Sequence, residues 1–113
     1  MATVVADDFQ TLSNCYAAAF YENSDINLKD DIRPLCTSNN IPQIKEFTWK
    51  DTGDHSYGLI AQELESMGYS ELVKTKDDGF KAVDYSAALS LIIGKLQVRV
   101  KELEDRIKYL ESK

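Results

Sequence analysis

The sequence ends in its most regular stretch, which reads LSLIIGKLQVRVKELEDRIKYL over residues 89–110. Its apolar residues recur at alternating spacings of four and three, the heptad pattern of a coiled coil. β-branched residues fill the a positions and leucines fill the d positions, giving a seam of Leu89, Ile93, Leu96, Val100, Leu103, Ile107 and Leu110. This seam predicts a long helix over residues 85–113 that associates with further copies of the chain.

The charges beside the seam favour a parallel arrangement of identical helices. Arg99 and Arg106 occupy g positions, and Glu104 and Glu111 occupy the e positions five residues on, so opposite charges face each other between parallel copies. The alternative is a helix that packs only on its own domain, but such a helix usually shows a wider apolar face. β-branched a residues with leucine at d incline isolated coiled coils toward dimers, so the seam itself leaves the number of chains open.

Upstream of this helix, alternating apolar residues and turn signals predict a small mixed body. Asp78-Gly79 is a good hairpin signal between two short strands, and Gly68 ends a short helix. Strands are expected at 46–50, 72–73 and 80–83, and helices near Pro42 and over residues 62–67. The predicted fold class is therefore α+β, with short strands and helices followed by the long C-terminal helix.

Length and charge limit the classes of function. A chain of 113 residues has room for one modest domain, and its formal charge of -6 with a pI near 4.7 argues against a nucleic-acid partner. The negative charge lies upstream of the long helix, because residues 85–113 are net basic. No signal peptide or apolar run of membrane-spanning length is recognised, so we expect no membrane partner.

The sequence offers little for metal or disulfide chemistry. Two cysteines, Cys15 and Cys36, are too few to staple a secreted mini-domain and are expected to be reduced. The single histidine, His55, has no Cys or His at metal-ligand spacing and follows a loop-like Asp51-Thr52-Gly53-Asp54. We therefore expect neither a metal nor a cofactor, and we interpret His55 as a loop residue.

A hydroxyl and an amine stand five residues apart at Ser24 and Lys29. Lysine can activate a serine when burial and nearby positive charge lower the pKa of an ammonium from about 10.4 toward neutrality. On an ideal helix, five residues leave two side chains about 140° apart, and on a strand they lie on opposite faces. Catalysis thus requires a turn that folds Lys29 back onto Ser24.

Two simpler interpretations of the same stretch remain open. Ser24 could cap a short helix in which Asp25 and Lys29 form a surface pair four residues apart. Asn23-Ser24 could also be a plain turn dipeptide.

Five motifs follow one another along residues 24–86: Ser24 to Ile32, Phe47-Thr48-Trp49-Lys50, Gly58 to Leu64, Leu72-Val73 and Val83-Asp84-Tyr85-Ser86. With the coiled coil after them, they resemble the peptidase S74 family, the C-terminal intramolecular chaperone domains of phage tail spikes, tail fibres and neck appendages. The resemblance covers residues 24–113, and each motif alone is weak, whereas their order and spacing are specific. One departure is Ser70, where the family often has proline, and residues 1–23 match no pattern that we identify.

The resemblance implies a trimer that helps an upstream triple β-helix stalk of the same polypeptide to fold and then cuts itself free. Transferred by position, Ser24 and Lys29 form the catalytic dyad of an autoproteolytic serine peptidase, and the scissile bond joins Asn23 to Ser24. Residues 1–23 are then the end of the stalk and residues 24–113 the released chaperone. Assembly is expected in the host cytoplasm and the parent fibre in the virion. The alternative function is a non-catalytic coiled-coil trimerisation module.

Overall fold

The computed structural model describes residues 21–113, and the chain divides into two units, Met1–Arg33 and Pro34–Lys113. In the first unit, the described residues contain one 3₁₀ turn, Ile26–Leu28, and all of residues 21–33 are exposed. Most of the predicted stalk end, residues 1–23, lies outside the described residues, and so does Cys15. Cys36 in the second unit is a free and exposed thiol.

The second unit contains two separate antiparallel hairpins and two helices. β1 pairs with β2, and β3 pairs with β4, in two sheets of two strands each. The prediction of an α+β body followed by a long helix is confirmed. In chain order the elements are β1 (Lys45–Thr48), β2 (His55–Gly58), α1 (Ala61–Ser66), a 3₁₀ turn (Ser70–Leu72), β3 (Val73–Thr75), β4 (Lys81–Val83) and α2 (Tyr85–Glu111).

The first hairpin differs from the prediction in two respects. His55 was expected in a loop, but it begins β2 and pairs with Thr48. Its polar neighbours hide the strand in the sequence, because the turn composition runs directly into it. Trp49 was expected on the buried face, yet it is 54% exposed, since the turn begins there with Gly53 donating its N–H to the Trp49 carbonyl at 2.8 Å.

The second hairpin and the short helix follow the sequence signals closely. Gly79 adopts a φ of +87° in the turn between β3 and β4, as the Asp-Gly signal predicts. Gly68 adopts a φ of +92° just after α1, where the Tyr69 N–H reaches back to the Leu64 carbonyl at 2.9 Å. The helix expected near Pro42 is wrong. Residues 41–44 carry no regular secondary structure, because proline also suits extended chain and Ile41 packs against the core.

The core lies between helix α1 and the first turns of helix α2. Its buried residues are Leu59, Leu64, Ala88 and Ile92. Half-buried side chains from the loop before β1 and from the region between the two helices pack around it: Ile41, Tyr69, Leu72, Val73 and Val83. Within helix α2, the apolar core thereby involves only the N-terminal half.

The start of helix α2 is fixed by two polar contacts. Asp84 caps it by accepting a hydrogen bond from the Ala87 N–H at 3.1 Å. The Tyr85 hydroxyl accepts the Leu59 N–H at 2.9 Å, and its oxygen lies so close to Gly58 that a side chain there would collide with it. The Tyr85 side chain therefore holds the start of α2 against the end of β2.

Candidate active site and assembly surface

The structure brings Ser24 and Lys29 together within the first unit. The Lys29 Nζ donates a hydrogen bond to the Ser24 Oγ at 2.8 Å. The chain achieves this with the three-residue 3₁₀ turn between them, which is neither the ideal helix nor the strand that would separate the side chains. This is the turn that a serine–lysine pair with a spacing of five requires.

The turn is held by hydrogen bonds at both of its ends. At its start, the Asp25 carboxylate accepts the Asn27 N–H at 2.8 Å and the Asn27 side-chain amide at 3.0 Å. At its end, the N–H groups of Leu28 and Lys29 donate to the carbonyls of Asp25 and Ile26 at 3.0 and 3.2 Å. Asp25 is thus the capping residue, so the simpler interpretation in which Ser24 caps a helix does not describe this segment.

A serine hydroxyl in contact with an amine is the arrangement of a nucleophile and its general base. Both side chains are exposed in this chain, and so is Asn23, whose carbonyl precedes the serine. Burial disfavours the charged form of an amine and so favours its action as a base. The contact between a nucleophile and a candidate base is present in a single chain, whereas burial of the amine is not.

The remaining titratable candidate, His55, is engaged in surface contacts on the first hairpin. Its Nε2 lies 3.1 Å from the Glu46 Oε1, and its ring stacks edge-on against Tyr57 with centroids 5.1 Å apart. Among residues 21–113, no cluster of His, Cys, Asp or Glu could hold a metal ion, and no helix is long and apolar enough to cross a membrane.

The seam forms a continuous exposed stripe along helix α2. The exposed fractions of its residues run from 40% at Leu89 to 60% at Leu110. The helix spans 27 residues, about 40 Å, so the stripe is long enough for several layers of a coiled coil. Contiguous exposed apolar side chains of this extent are typical of interaction surfaces, so the stripe is a candidate assembly surface.

The face of α2 that packs on the body lies roughly 100° around the helix from the seam. Here the buried Lys95 donates its Nζ to the Asn39 carbonyl at 2.6 Å, and the Ser38 hydroxyl donates to the Glu102 Oε1, also at 2.6 Å. The next residue, Asn40, donates its side-chain amide to the Met67 carbonyl at 2.8 Å. The loop of residues 38–40 therefore fastens α2 to the body.

Sequence reasoning missed this fastening and the role of Asp25. Lys95 and Glu102 are seven residues apart, so they share one helix face away from the seam, and this spacing was the available signal. Asp25 was considered only as a partner of Lys29, although an Asp before a short turn with Asn two residues on is a known capping arrangement.

Comparison with known proteins finds a similarity in the part of the chain that contains Ser24 and Lys29. The family model described as chaperone of endosialidase, peptidase S74, matches residues 24–74, and its match begins at Ser24. No curated protein and no solved structure matches the chain.

Residues 24–74 thus match the chaperone-of-endosialidase family, peptidase S74. The resemblance to this family that the motifs indicated is confirmed over these residues. The family's name suggests serine peptidases, and the family implies association of the chaperone with an upstream fibre domain.

Proposed function

We propose that this chain is a self-cleaving intramolecular chaperone. Three copies join through the seam of α2 and assist the folding of an upstream triple β-helix in a phage fibre or appendage. The domain then releases itself by cutting the bond between Asn23 and Ser24. The observation that carries this proposal is the 2.8 Å contact between the Ser24 Oγ and the Lys29 Nζ, in a segment where the family match begins at Ser24.

The chemistry follows from the order of atoms along the chain. Neutral Lys29 takes the hydroxyl proton of Ser24, and the Oγ attacks the Asn23 carbonyl carbon that directly precedes it. The peptide C–N bond breaks, the Ser24 nitrogen takes the proton back from Lys29, and an ester links Asn23 to the Ser24 Oγ. One water then hydrolyses the ester, leaving a carboxylate on Asn23 and a free hydroxyl on Ser24.

Self-cleavage needs no substrate pocket, because the scissile carbonyl is covalently tethered beside the nucleophile at high effective concentration. What it does need is an unprotonated amine. Both members of the dyad are exposed in one chain, so we propose that neighbouring copies cover Lys29 when the trimer closes. Cleavage then reports completed assembly, inside the host cell and before the fibre joins the virion.

Self-association through α2 is supported by exposure and by charge. Seven apolar seam residues are 40–60% exposed, and the flanking arginines and glutamates are complementary between parallel copies. The trimeric number rests on the family, because the seam residues alone incline a coiled coil toward dimers.

The test combines sedimentation with N-terminal sequencing of the same sample. We expect a trimer with a new N-terminus at Ser24. Ser24→Ala and Lys29→Ala should each leave an uncut trimer, at least about a thousandfold slower to cleave. Lys29→Arg is the matched control for charge, because it keeps a cation that cannot act as a base, and it too should stay uncut. A fragment starting at residue 24 from any of these variants would refute the dyad.

Spontaneous breakage at Asn23 is the competing chemistry, because its side-chain amide can attack its own backbone. Asn23→Ala removes that route and should leave dyad cleavage in place. Breakage that disappears in Asn23→Ala and persists in Lys29→Ala would assign the cut to the asparagine.

A non-catalytic trimerisation module is the second candidate, and the exposure of Ser24 and Lys29 favours it. It predicts that the assembled protein keeps an intact mass of all 113 residues after long incubation. Mass spectrometry of fresh and aged trimer separates the two functions.

A further inference from the structure

We infer that Asp25 and Asn27 are positioning residues for the dyad, an inference that rests on the proposed function. The Asp25 Oδ1 accepts two hydrogen bonds from Asn27, one from its backbone N–H at 2.8 Å and one from its side-chain amide at 3.0 Å. One carboxylate oxygen therefore caps the start of the 3₁₀ turn that separates the nucleophile from the base.

These bonds matter because the segment has little other support. Residues 21–33 are all exposed, so side-chain packing contributes little to the shape of the turn. Two backbone hydrogen bonds define the end of the turn. At its start, the Asn27 N–H donates to the side chain of Asp25 instead of to a backbone carbonyl. Without the Asp25 carboxylate, the hydrogen bonds from Asn27 no longer restrain the conformation of residue 25. The position of the adjacent Ser24 then becomes less defined.

The placement of Ser24 sets the contact with Lys29. The backbone of Asp25 is extended, with φ -68° and ψ 136°, and this turns the chain between Ser24 and the 3₁₀ turn. Lys29 is held at the far end by its own N–H bond to the Ile26 carbonyl at 3.2 Å. A displacement of a reacting group by about 1 Å can cost about a hundredfold in rate. Loss of the hydrogen bonds at the start of the turn is therefore expected to slow cleavage strongly.

A different role for Asp25 makes the opposite prediction. A negative charge beside an amine favours the protonated form of that amine, which cannot act as a base. If Asp25 acted chiefly through its charge, Asp25→Asn would speed cleavage. If it acts through its hydrogen bonds, Asn supplies an equivalent acceptor oxygen, since Asn and Asp cap turns equally well, and the rate is kept.

The experiment measures the rate of cleavage in the assembled full chain for four variants. We expect Asp25→Ala to be about ten- to a hundredfold slower and Asp25→Asn to stay within about threefold of the parent. Asn27→Ala keeps the backbone bond and loses only the side-chain bond, so a loss of about two- to fivefold is expected. Asp30→Asn is the matched control, because it removes one exposed carboxylate from the same segment outside the turn, and it should change the rate by less than about twofold.

The pH dependence of the rate adds a readout that general loss of structure does not mimic. A positioning role lowers the plateau rate of Asp25→Ala and leaves the midpoint of the profile in place, whereas a role through charge moves the midpoint. Charged groups near the amine in sequence are Asp25, Asp30, Asp31 and Arg33. Sedimentation should give the same assembly for every variant.

A second measurement does not depend on cleavage. In the uncut Ser24→Ala background, NMR should detect proximity between the methyl group at position 24 and the Lys29 side chain. Adding Asp25→Asn should keep this proximity, and adding Asp25→Ala should abolish it.

The outcomes separate this inference from the proposed function. A parent chain that is never cut at Asn23, or a Ser24→Ala variant that is still cut, refutes the proposed function, and the NMR comparison then decides the positioning role alone. Asp25→Ala at the parent rate, or Asp25→Asn as slow as Asp25→Ala or faster than the parent, overturns the positioning role even when the dyad holds.

Discussion

Two faces of helix α2 carry apolar residues, and they differ in what covers them. On the body face, Ala88, Ile92 and Lys95 are no more than 6% exposed, whereas every residue of the seam is at least 40% exposed. The body face is short and includes the polar bonds to residues 38 and 39. The seam is strictly periodic and runs to the end of the helix. The irregular body face suits the irregular surface of its own domain, and the repeating seam suits the pairing with another copy that we propose.

Two adjacent isoleucines, one on each face, allow the body face and the seam to be compared directly. Ile92 is 6% exposed and Ile93 is 57% exposed, although they are identical in chemistry and neighbours in sequence. The predictions below use this contrast, and they run from the largest expected effect to the smallest.

The largest effect is expected from a charge placed in the seam. Leu103→Asp should reduce the assembly to single chains, because each carboxylate would be buried without a partner at a cost of several kcal/mol per chain. Sedimentation measures the chain number. Tyr109→Asp is the control, since Tyr109 is a large exposed residue of the same helix outside the seam, and it should leave assembly intact. If both variants dissociate, or neither does, the seam is not the assembly surface.

The second prediction compares Ile92→Ala with Ile93→Ala in the single-chain Leu103→Asp background. Ile92→Ala should lower the free energy of unfolding by about 2–4 kcal/mol, because it leaves a cavity in the core. Ile93→Ala should lower it by less than about 1 kcal/mol, since most of its side chain is in water. Chemical denaturation gives both values. Equal losses would mean that the body also covers Ile93 in solution.

The smallest effect concerns Lys101, which lies on neither face. The pKa of Lys101 is raised above its ordinary 10.5. The largest cause is its hydrogen bond to Asp105 at 2.9 Å, and the second is the electrostatic attraction of the same carboxylate. Because the folded pKa is raised, the stabilisation is present at neutral pH and is lost as the pH rises through the folded pKa. NMR titration should find the raised pKa, and Asp105→Asn should return it toward the ordinary value. An unchanged pKa in that variant would assign the shift to another group.

The sequence predicted those parts of the fold whose signals are local. The heptad pattern placed the long helix, which begins at Tyr85 and ends at Glu111, and Asp78-Gly79 placed the second hairpin. β2 was missed because its polar first residues resemble the turn before it. The helix expected near Pro42 was wrong because tertiary contacts of Ile41 outweigh a local preference.

The candidate sites show the same division between local and distant signals. Sequence spacing alone left open whether Ser24 and Lys29 meet, because the answer depends on a turn of three residues. The bonds from Lys95 to Asn39 and from Ser38 to Glu102 join residues 56 and 64 positions apart. The spacing of Lys95 and Glu102 places both on one helix face, but it does not predict which loop residues they contact.

The last of these fastenings to the body occurs at Glu102, and residues 103–113 are all exposed. The final turns of α2, about 12 Å from residue 103 to residue 111, therefore lie beyond the last bond to the body and can be exchanged as a unit. An unrelated zipper of the same register could be grafted in their place without disturbing the chaperone body. The oligomer number of the chimera could then be chosen by the designer, separately from the chemistry at the other end of the chain.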